Sequence, residues 1–161
     1  MTSKQRHVYG DPRVETMPVL AATVIEIGDI CWFDATNNCV KPASDYTWDT
    51  DLATTQGTFK DVFCGIARSA KRSTDPAGFV QVATGGVFRF DCASAAFDLG
   101  VFIGPAKASG NAIENQKVVA VANATLAIGK PARQYTSAVT EIYVRAQSVI
   151  HDTAGGVQTI T

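Results

Sequence analysis

The chain has 161 residues, a formal net charge of −1 and a calculated pI of about 6.1. This length suits one domain with an ordinary hydrophobic core, and the near-neutral charge gives no support for binding nucleic acid or an anionic membrane. Val and Ile together number 27, Thr 17 and Leu only 4. Because β-branched side chains suit a pleated sheet better than a helix, the composition predicts an all-β fold, a compact single-domain sandwich or barrel.

The first 18 residues differ from the rest of the chain. They are polar, slightly basic and without periodicity, so we predict an extended N-terminal arm over residues 1–18 and a single β domain over residues 19–161. One interpretation is a terminus without fixed structure; the other is an arm that becomes ordered on a partner. In the second case Val8, Tyr9 and Val14 would anchor it.

Short runs of β-branched and aromatic residues, separated by turn residues, predict eight to ten strands. The main predicted strands cover residues 19–27, 30–34, 63–68, 79–84, 87–92, 99–103, 117–122, 127–130 and 141–147. One short helix is predicted within residues 43–60, capped by Asp49 or Thr50. Residues 93–98 are expected to form a loop, and residues 104–105 to end a strand. The tail, residues 151–161, is expected to be loose or to lie at an interface.

A Gly85-Gly86 pair separates the predicted strands 79–84 and 87–92. The pair favours a two-residue hairpin, since a type I′ turn needs positive φ at both central positions. The alternative is a bulge within one long strand. Each face of these strands mixes apolar and polar residues, so we expect both faces to be covered, with another subunit as one candidate for the cover.

The cysteines and histidines do not form a pattern typical of a metal site or a catalytic site. Four cysteines without a CxxC pair, Cys31, Cys39, Cys64 and Cys92, are expected to be free thiols in the core. The histidines, His7 and His151, lie near the two ends, which weighs against a catalytic triad. Without a secretory signal or a long apolar run, we expect a soluble protein made in a reducing cytosol, with no cofactor and no metal.

Three other sets of residues each allow a functional interpretation beside a structural one. They are Glu26, Asp29, Asp34 and Asp91, as paired acids of an enzyme; Trp32 and Trp48, as a sugar-stacking platform; and Arg68, Lys71 and Arg72, as a phosphate contact. Acids at strand ends, buried indoles and solvated basic loops are the more frequent cases. The alternative hypothesis for the function, a carbohydrate- or ligand-binding β-sandwich module, depends on the two tryptophans.

The order of segments resembles the small capsid cement (decoration) proteins of tailed phages. The similar pieces are the polar segment ending near Pro18, EIGDICWF, WDTDLATTQGTFKDVFCGIA over residues 48–67, VQVATGGVFRFDC over residues 80–92, LGVFIGPA and LAIGKPA. The likeness spans about residues 26–150, and its motifs are structural. Members of this family have no catalytic residues that could be transferred to this chain.

The resemblance implies a structural virion protein that binds the outer surface of an assembled capsid and stabilises it. It implies the major capsid protein as partner, a homo-oligomer with a trimer favoured, and synthesis in the cytoplasm of the bacterial host. It also implies a terminal arm that lies on the capsid. By their position in the arm, the expected capsid-contact residues are Lys4, Arg6, Val8, Tyr9, Arg13 and Val14.

Overall fold

Eleven β strands and one α helix make up most of residues 3–151, the part of the chain that the computed structural model describes. The strands are β1 (His7–Tyr9), β2 (Val14–Val19), β3 (Ile30–Asp34), β4 (Cys39–Pro42), β5 (Phe63–Ala67), β6 (Gly78–Ala83), β7 (Val87–Phe97), β8 (Phe102–Lys107), β9 (Ile113–Val121), β10 (Gly129–Pro131) and β11 (Tyr135–Ala146). The helix α1 spans Leu52–Lys60, and single turns of 3₁₀ helix occupy Ala43–Asp45, Ala124–Leu126 and Val149–His151. The predicted all-β class with one short helix is confirmed.

The first sheet contains a closed barrel. Its strand order is β1-β7-β11-β10-β8-β9, and β9 also pairs in parallel with β7, where Asp91 lies opposite Lys117 and Cys92 opposite Val118. This second pairing joins β7, β11, β10, β8 and β9 into a five-stranded ring. β1 lies outside the ring, paired with the first residues of β7. Closure removes most of the unpaired strand edges that an open sheet would leave.

The second sheet has the order β2-β6-β5-β3-β4 and is buried on both faces over much of its area. On β3 and β5, Ile30 and Ile66 face the barrel, whereas Cys31 and Cys64 face the opposite side. All five residues of β5 are buried. The expectation that both faces of residues 79–84 are covered is wrong for β6, because Val80 and Val82 are buried whereas Phe79 and Gln81 on the opposite face are exposed.

Two apolar clusters result from this arrangement. The larger includes Ile30, Phe59, Phe63, Ile66, Phe88, Phe90, Ile103, Ile113, Ile142 and Val144, and the smaller includes Met17, Val19, Ile25, Cys31, Val40, Cys64, Val80 and Val82. All four cysteines are buried and free, as expected from their apolar surroundings. Burial raises the pKa of each thiol.

The helix lies within the predicted range of residues 43–60, but its cap is Asp51 rather than either of the two residues before it. The Asp51 side chain accepts a hydrogen bond from the Thr54 amide at 2.7 Å, which satisfies one of the amides left free at a helix start. Phe59, the last residue but one of the helix, is fully buried in the larger cluster. None of the helices within residues 3–151 is long and apolar enough to cross a membrane.

The predicted hairpin at Gly85-Gly86 is wrong, and so is the alternative bulge. β6 pairs with β2 and β5 in the second sheet, whereas β7 pairs with β11, β9 and β1 in the first. The glycines therefore connect one sheet to the other. The physical reason is that the two strands bury their side chains in different clusters, Val80 and Val82 in the smaller one and Phe88 and Phe90 in the larger one.

The structure places two prolines inside strands. The strand predicted over residues 19–27 is wrong, because only Val19 of that range belongs to a strand, β2, which contains Pro18. β2 is an edge strand of its sheet, and an edge strand tolerates proline because one side of its backbone needs no hydrogen-bond partner. β8 likewise runs through Pro105, whose carbonyl accepts a hydrogen bond from Gln56 Nε2 at 2.7 Å.

The small residues predicted to form a loop, residues 93–98, belong mostly to β7, which continues to Phe97. By contrast, β3 has the predicted bounds, and the alternation predicted for residues 141–147 is confirmed. Ile142, Val144 and Ala146 are buried, while the residues between them remain partly or fully exposed. Most of the predicted tail, residues 152–161, lies outside the described residues.

Candidate functional site: the N-terminal segment

The N-terminal segment, residues 3–14, is built into the domain rather than standing apart from it. β1 pairs with β7 of the barrel, and β2 begins at Val14 beside β6 of the second sheet. The predicted boundary at residue 18 is therefore wrong. An extended segment can add a strand to each sheet even without apolar periodicity, and the backbone hydrogen bonds gained there are the reason it does not stay free.

Between its two strands, the segment passes around the crossover between the sheets. The amides of Thr84 and Gly85 donate to the Pro12 carbonyl at 2.8 and 3.0 Å. Gly86 has φ of +99°, and a Cβ there would lie 3.2 Å from the His7 ring and from the Tyr9 carbonyl oxygen. The glycines mistaken for a hairpin turn thus permit close approach of the N-terminal segment.

Arg6 holds this segment to the domain. Its side chain is only 2% exposed, and its two terminal nitrogens donate to the two carboxylate oxygens of Asp91 on β7, each at 3.1 Å. It also donates to the Arg89 carbonyl at 3.1 Å and to Gln116 Oε1 at 2.9 Å. The expectation that Arg6 contacts a capsid is therefore wrong, because its donors are used inside the fold.

The hydrogen-bond network continues from Arg6 to the turn before β3. Gln116 Nε2 donates to Asp29 Oδ1 at 2.8 Å, and Asp29 Oδ2 accepts from the Glu26 amide at 2.9 Å. Asp29 is almost fully buried, and this burial raises the pKa of its carboxyl group despite the hydrogen bonds. A chain of side chains thus joins the N-terminal segment to both sheets.

Lys4 lies at the exposed end of the same network. Its ammonium is 3.4 Å from Glu141 Oε2 and 3.7 Å from Asp91 Oδ1. The hydrogen bonds from Arg6, more than the nearby charge of Lys4, hold the pKa of Asp91 below its ordinary value. Lys4 is accessible to a partner, unlike Arg6.

The remaining predicted contact residues, Val8, Tyr9, Arg13 and Val14, are all exposed. The structure adds Phe79, which sequence reasoning assigned to a hairpin and did not single out. Phe79 is 71% exposed, the largest exposed fraction among the large apolar side chains described. Alternation on β6 gave a signal for it, since Val80 and Val82 take the buried face.

Val14 and Phe79 lie on one face of the strand pair β2–β6. Val14 is opposite Ala83 and Pro18 is opposite Phe79, so their side chains point away from the buried face formed by Met17 and Val80. We call Val8, Tyr9, Arg13, Val14 and Phe79 the N-terminal surface. Apart from Arg13, which lies just before β2, its residues belong to paired strands, so it could bind a partner without a large ordering cost.

The two tryptophans are half-buried and packed against the larger core. Trp32 donates its indole N–H to the Pro42 carbonyl at 3.0 Å, and the Lys41 ammonium lies 5.4 Å from its ring. Lys107 takes a similar position 5.0 Å from the Trp48 ring. A lysine therefore already occupies one face of each indole, so neither offers the open platform that the carbohydrate-binding alternative expects.

The four carboxylates proposed as enzyme acids are only partly brought together. Glu26 and Asp29 line an open cleft of about 270 Å³ together with Asp45, whose pKa is raised by burial. Both oxygens of Asp29 are occupied by the hydrogen bonds described above. Asp34 lies elsewhere, with Lys41 Nζ at 2.7 Å lowering its pKa, and Asp91 is paired with Arg6.

The basic cluster does not assemble as a phosphate contact. Lys71 is buried, and its ammonium lies within hydrogen-bonding distance, 2.5 to 3.1 Å, of four backbone carbonyl oxygens, those of Ala21, Thr23, Arg72 and Asp75. It fastens the turn after β2 to the loop before β6. Within residues 3–151, no group of three or more His, Cys, Asp or Glu side chains is placed to hold a metal ion.

No family model, no curated protein and no solved structure matches this chain.

Proposed function

We propose that this protein is a structural virion protein, a cement or decoration protein that binds the outer surface of an assembled phage capsid. The observation that carries the proposal is the N-terminal surface, where apolar side chains project from paired strands into solvent beside the exposed Arg13, which lies just before β2. Exposed aromatic and aliphatic groups beside an arginine are typical of protein-binding surfaces. The resemblance to phage cement proteins supplies the identity of the partner, the major capsid protein.

A protein of this kind stabilises the capsid by linkage. If it binds assembled lattice and not free subunits, each occupied site lowers the free energy of the assembled state by RT ln(1 + [L]/Kd). A homotrimer would place three copies of the N-terminal surface on the lattice at once, which multiplies the effective affinity. The chain needs contact area and a fixed surface for this task, not a reactive group.

The test is co-sedimentation with empty heads built from the major capsid protein encoded in the same genome. Deleting residues 1–17 is unsuitable, because it would remove β1 and most of β2 and damage the fold. We therefore compare Tyr9→Ser and Phe79→Ser with Leu99→Ser, an exposed apolar residue on the loop beyond the far end of β7. Each variant is first checked for folding by circular dichroism.

We expect Tyr9→Ser and Phe79→Ser each to weaken binding at least tenfold, since aromatic anchors carry a large share of interface energy. Leu99→Ser should bind like the wild type. Absence of wild-type binding would refute the capsid proposal. Equal binding by all variants would refute the assignment of the N-terminal surface while leaving the capsid proposal standing. The mass measured by light scattering tests the trimer separately.

A further inference from the structure

A second cleft is lined by residues remote in sequence from the N-terminal surface. Its charged lining residues are basic, whereas those of the cleft around Glu26, Asp29 and Asp45 are acidic. The second cleft has a volume of about 480 Å³, within the range of pockets that hold small molecules. It lies where β10 and β11 meet the end of α1. Its cationic wall consists of Lys60, Lys130 and Arg145, and we call it the cationic cleft.

The three cations of the cationic cleft are not neutralised by the fold. None of the described residues that line it is acidic, and none of the three side chains forms an ion pair within residues 3–151. Lys130 and Arg145 are also direct partners across β10 and β11. Like charges placed opposite one another destabilise a sheet, so this pair has an energetic cost to the free protein.

The other walls of the cleft are mainly apolar, with Gln147 beside them. Phe102 and Val149 contribute to them, and the Lys130 ammonium lies 4.8 Å from the Phe102 ring centre. This contact keeps one cation at the apolar wall rather than letting it extend into water. A ligand that fits must bring negative charge to the cations and an apolar group to the walls.

We propose that the cationic cleft binds a carboxylate or phosphate carried on a compact apolar group. The anion is placed between Lys130 and Arg145, relieving their repulsion, with Lys60 as a third donor, and the apolar group contacts Phe102 and Val149. The ligand supplies the negative charge that the fold does not, and Arg145 gives the planar donor set that suits an oxyanion. This site is independent of the proposed capsid contact.

The test measures binding to the full chain by isothermal titration calorimetry at low salt. The probes are phenyl phosphate and phenylacetate, with inorganic phosphate and benzyl alcohol as the separate anionic and apolar halves. We expect the two complete probes to bind at least tenfold more tightly than either half, and more weakly at higher salt. The tighter of the two identifies the preferred anion. Equal binding of benzyl alcohol would overturn the proposal.

Variants assign the site. Lys130→Gln and Arg145→Gln should each weaken binding of the complete probes about tenfold, whereas Arg133→Gln, with the same charge change outside the cleft, should not. Without ligand, Lys130→Gln should be at least as stable to heat as the wild type, because it removes the like-charge pair. Equal weakening by all three variants, or no binding of either complete probe at 10 mM, would refute the site.

Discussion

The buried Arg6 gives the sharpest test of how the N-terminal segment is held. We consider Arg6→Met, which keeps an apolar stem of similar length but removes the charge and the five hydrogen bonds to Asp91, Arg89 and Gln116. Breaking a buried ion pair by removing one partner typically costs about 3–5 kcal/mol. The Asp91 side chain is 44% exposed and can regain water, so we expect a loss near the lower end, about 3 kcal/mol.

The matched control is Arg13→Met on the same segment. Arg13 is mostly exposed, and its contact with Asp11 is 4.0 Å long, so the expected loss is below about 0.5 kcal/mol. The assay is urea unfolding at pH 7 followed by tryptophan fluorescence, with the free energies extrapolated to water. If the two variants differed by less than about 0.5 kcal/mol, Arg6 would not be an internal anchor, and its assignment to a partner contact would be restored.

The difference in unfolding free energy between the wild type and Arg6→Met should depend on pH, and the structure determines the sign of that dependence. Arg6 lowers the pKa of Asp91 in the folded state, so the stabilisation is fully present above the unfolded value of about 3.9. It is lost as the pH falls through the lower folded-state pKa. The stability difference between wild type and Arg6→Met should therefore be constant from pH 7 to about pH 5 and shrink below about pH 4. A difference that grew on acidification would contradict this assignment.

Three further predictions concern the interior. Gly86→Ala should destabilise the fold by about 1–3 kcal/mol in urea unfolding because of its positive φ and the contact with His7, whereas Gly100→Ala, with open space around its Cα, should cost far less. Lys71→Met should cost about 1–3 kcal/mol by leaving buried carbonyls without a donor, against little change for the exposed Arg72→Met; equal losses would refute the role of Lys71. Because burial raises their pKa, the four thiols should resist Ellman's reagent at pH 8 until the protein unfolds, and fast native reaction of Cys64 would refute its burial.

Local patterns were sufficient for elements whose residues alternate cleanly or whose caps are explicit. The excess of β-branched residues predicted the all-β class, a run of apolar and aromatic residues between turns predicted β3, and alternation predicted the buried side of β11. The acidic and threonine residues before Leu52 predicted a short helix, with an error of one or two residues in the cap. Each of these features depends on neighbours within a few positions, so it can be read from the chain.

The candidate site depended on contacts that the chain order does not show. Arg6 and Gln116 are 110 positions apart, and nothing in the sequence pairs them. A basic residue in a polar terminus is usually solvated, so Arg6 was assigned to the surface. The cationic cleft has the same origin, since Lys60 comes from the helix and Lys130 and Arg145 from two strands of the barrel.

The sequence by itself determined which short segments can be strands, because side-chain shape and alternation act locally. Only the tertiary structure decided which strands pair. A Gly-Gly step permits a hairpin, a bulge or a crossover, and the crossover accompanies burial of Phe88 and Phe90, which lie on one face of β7, in the larger apolar cluster. That choice brought the N-terminal segment against the crossover and so formed the surface proposed to bind a partner.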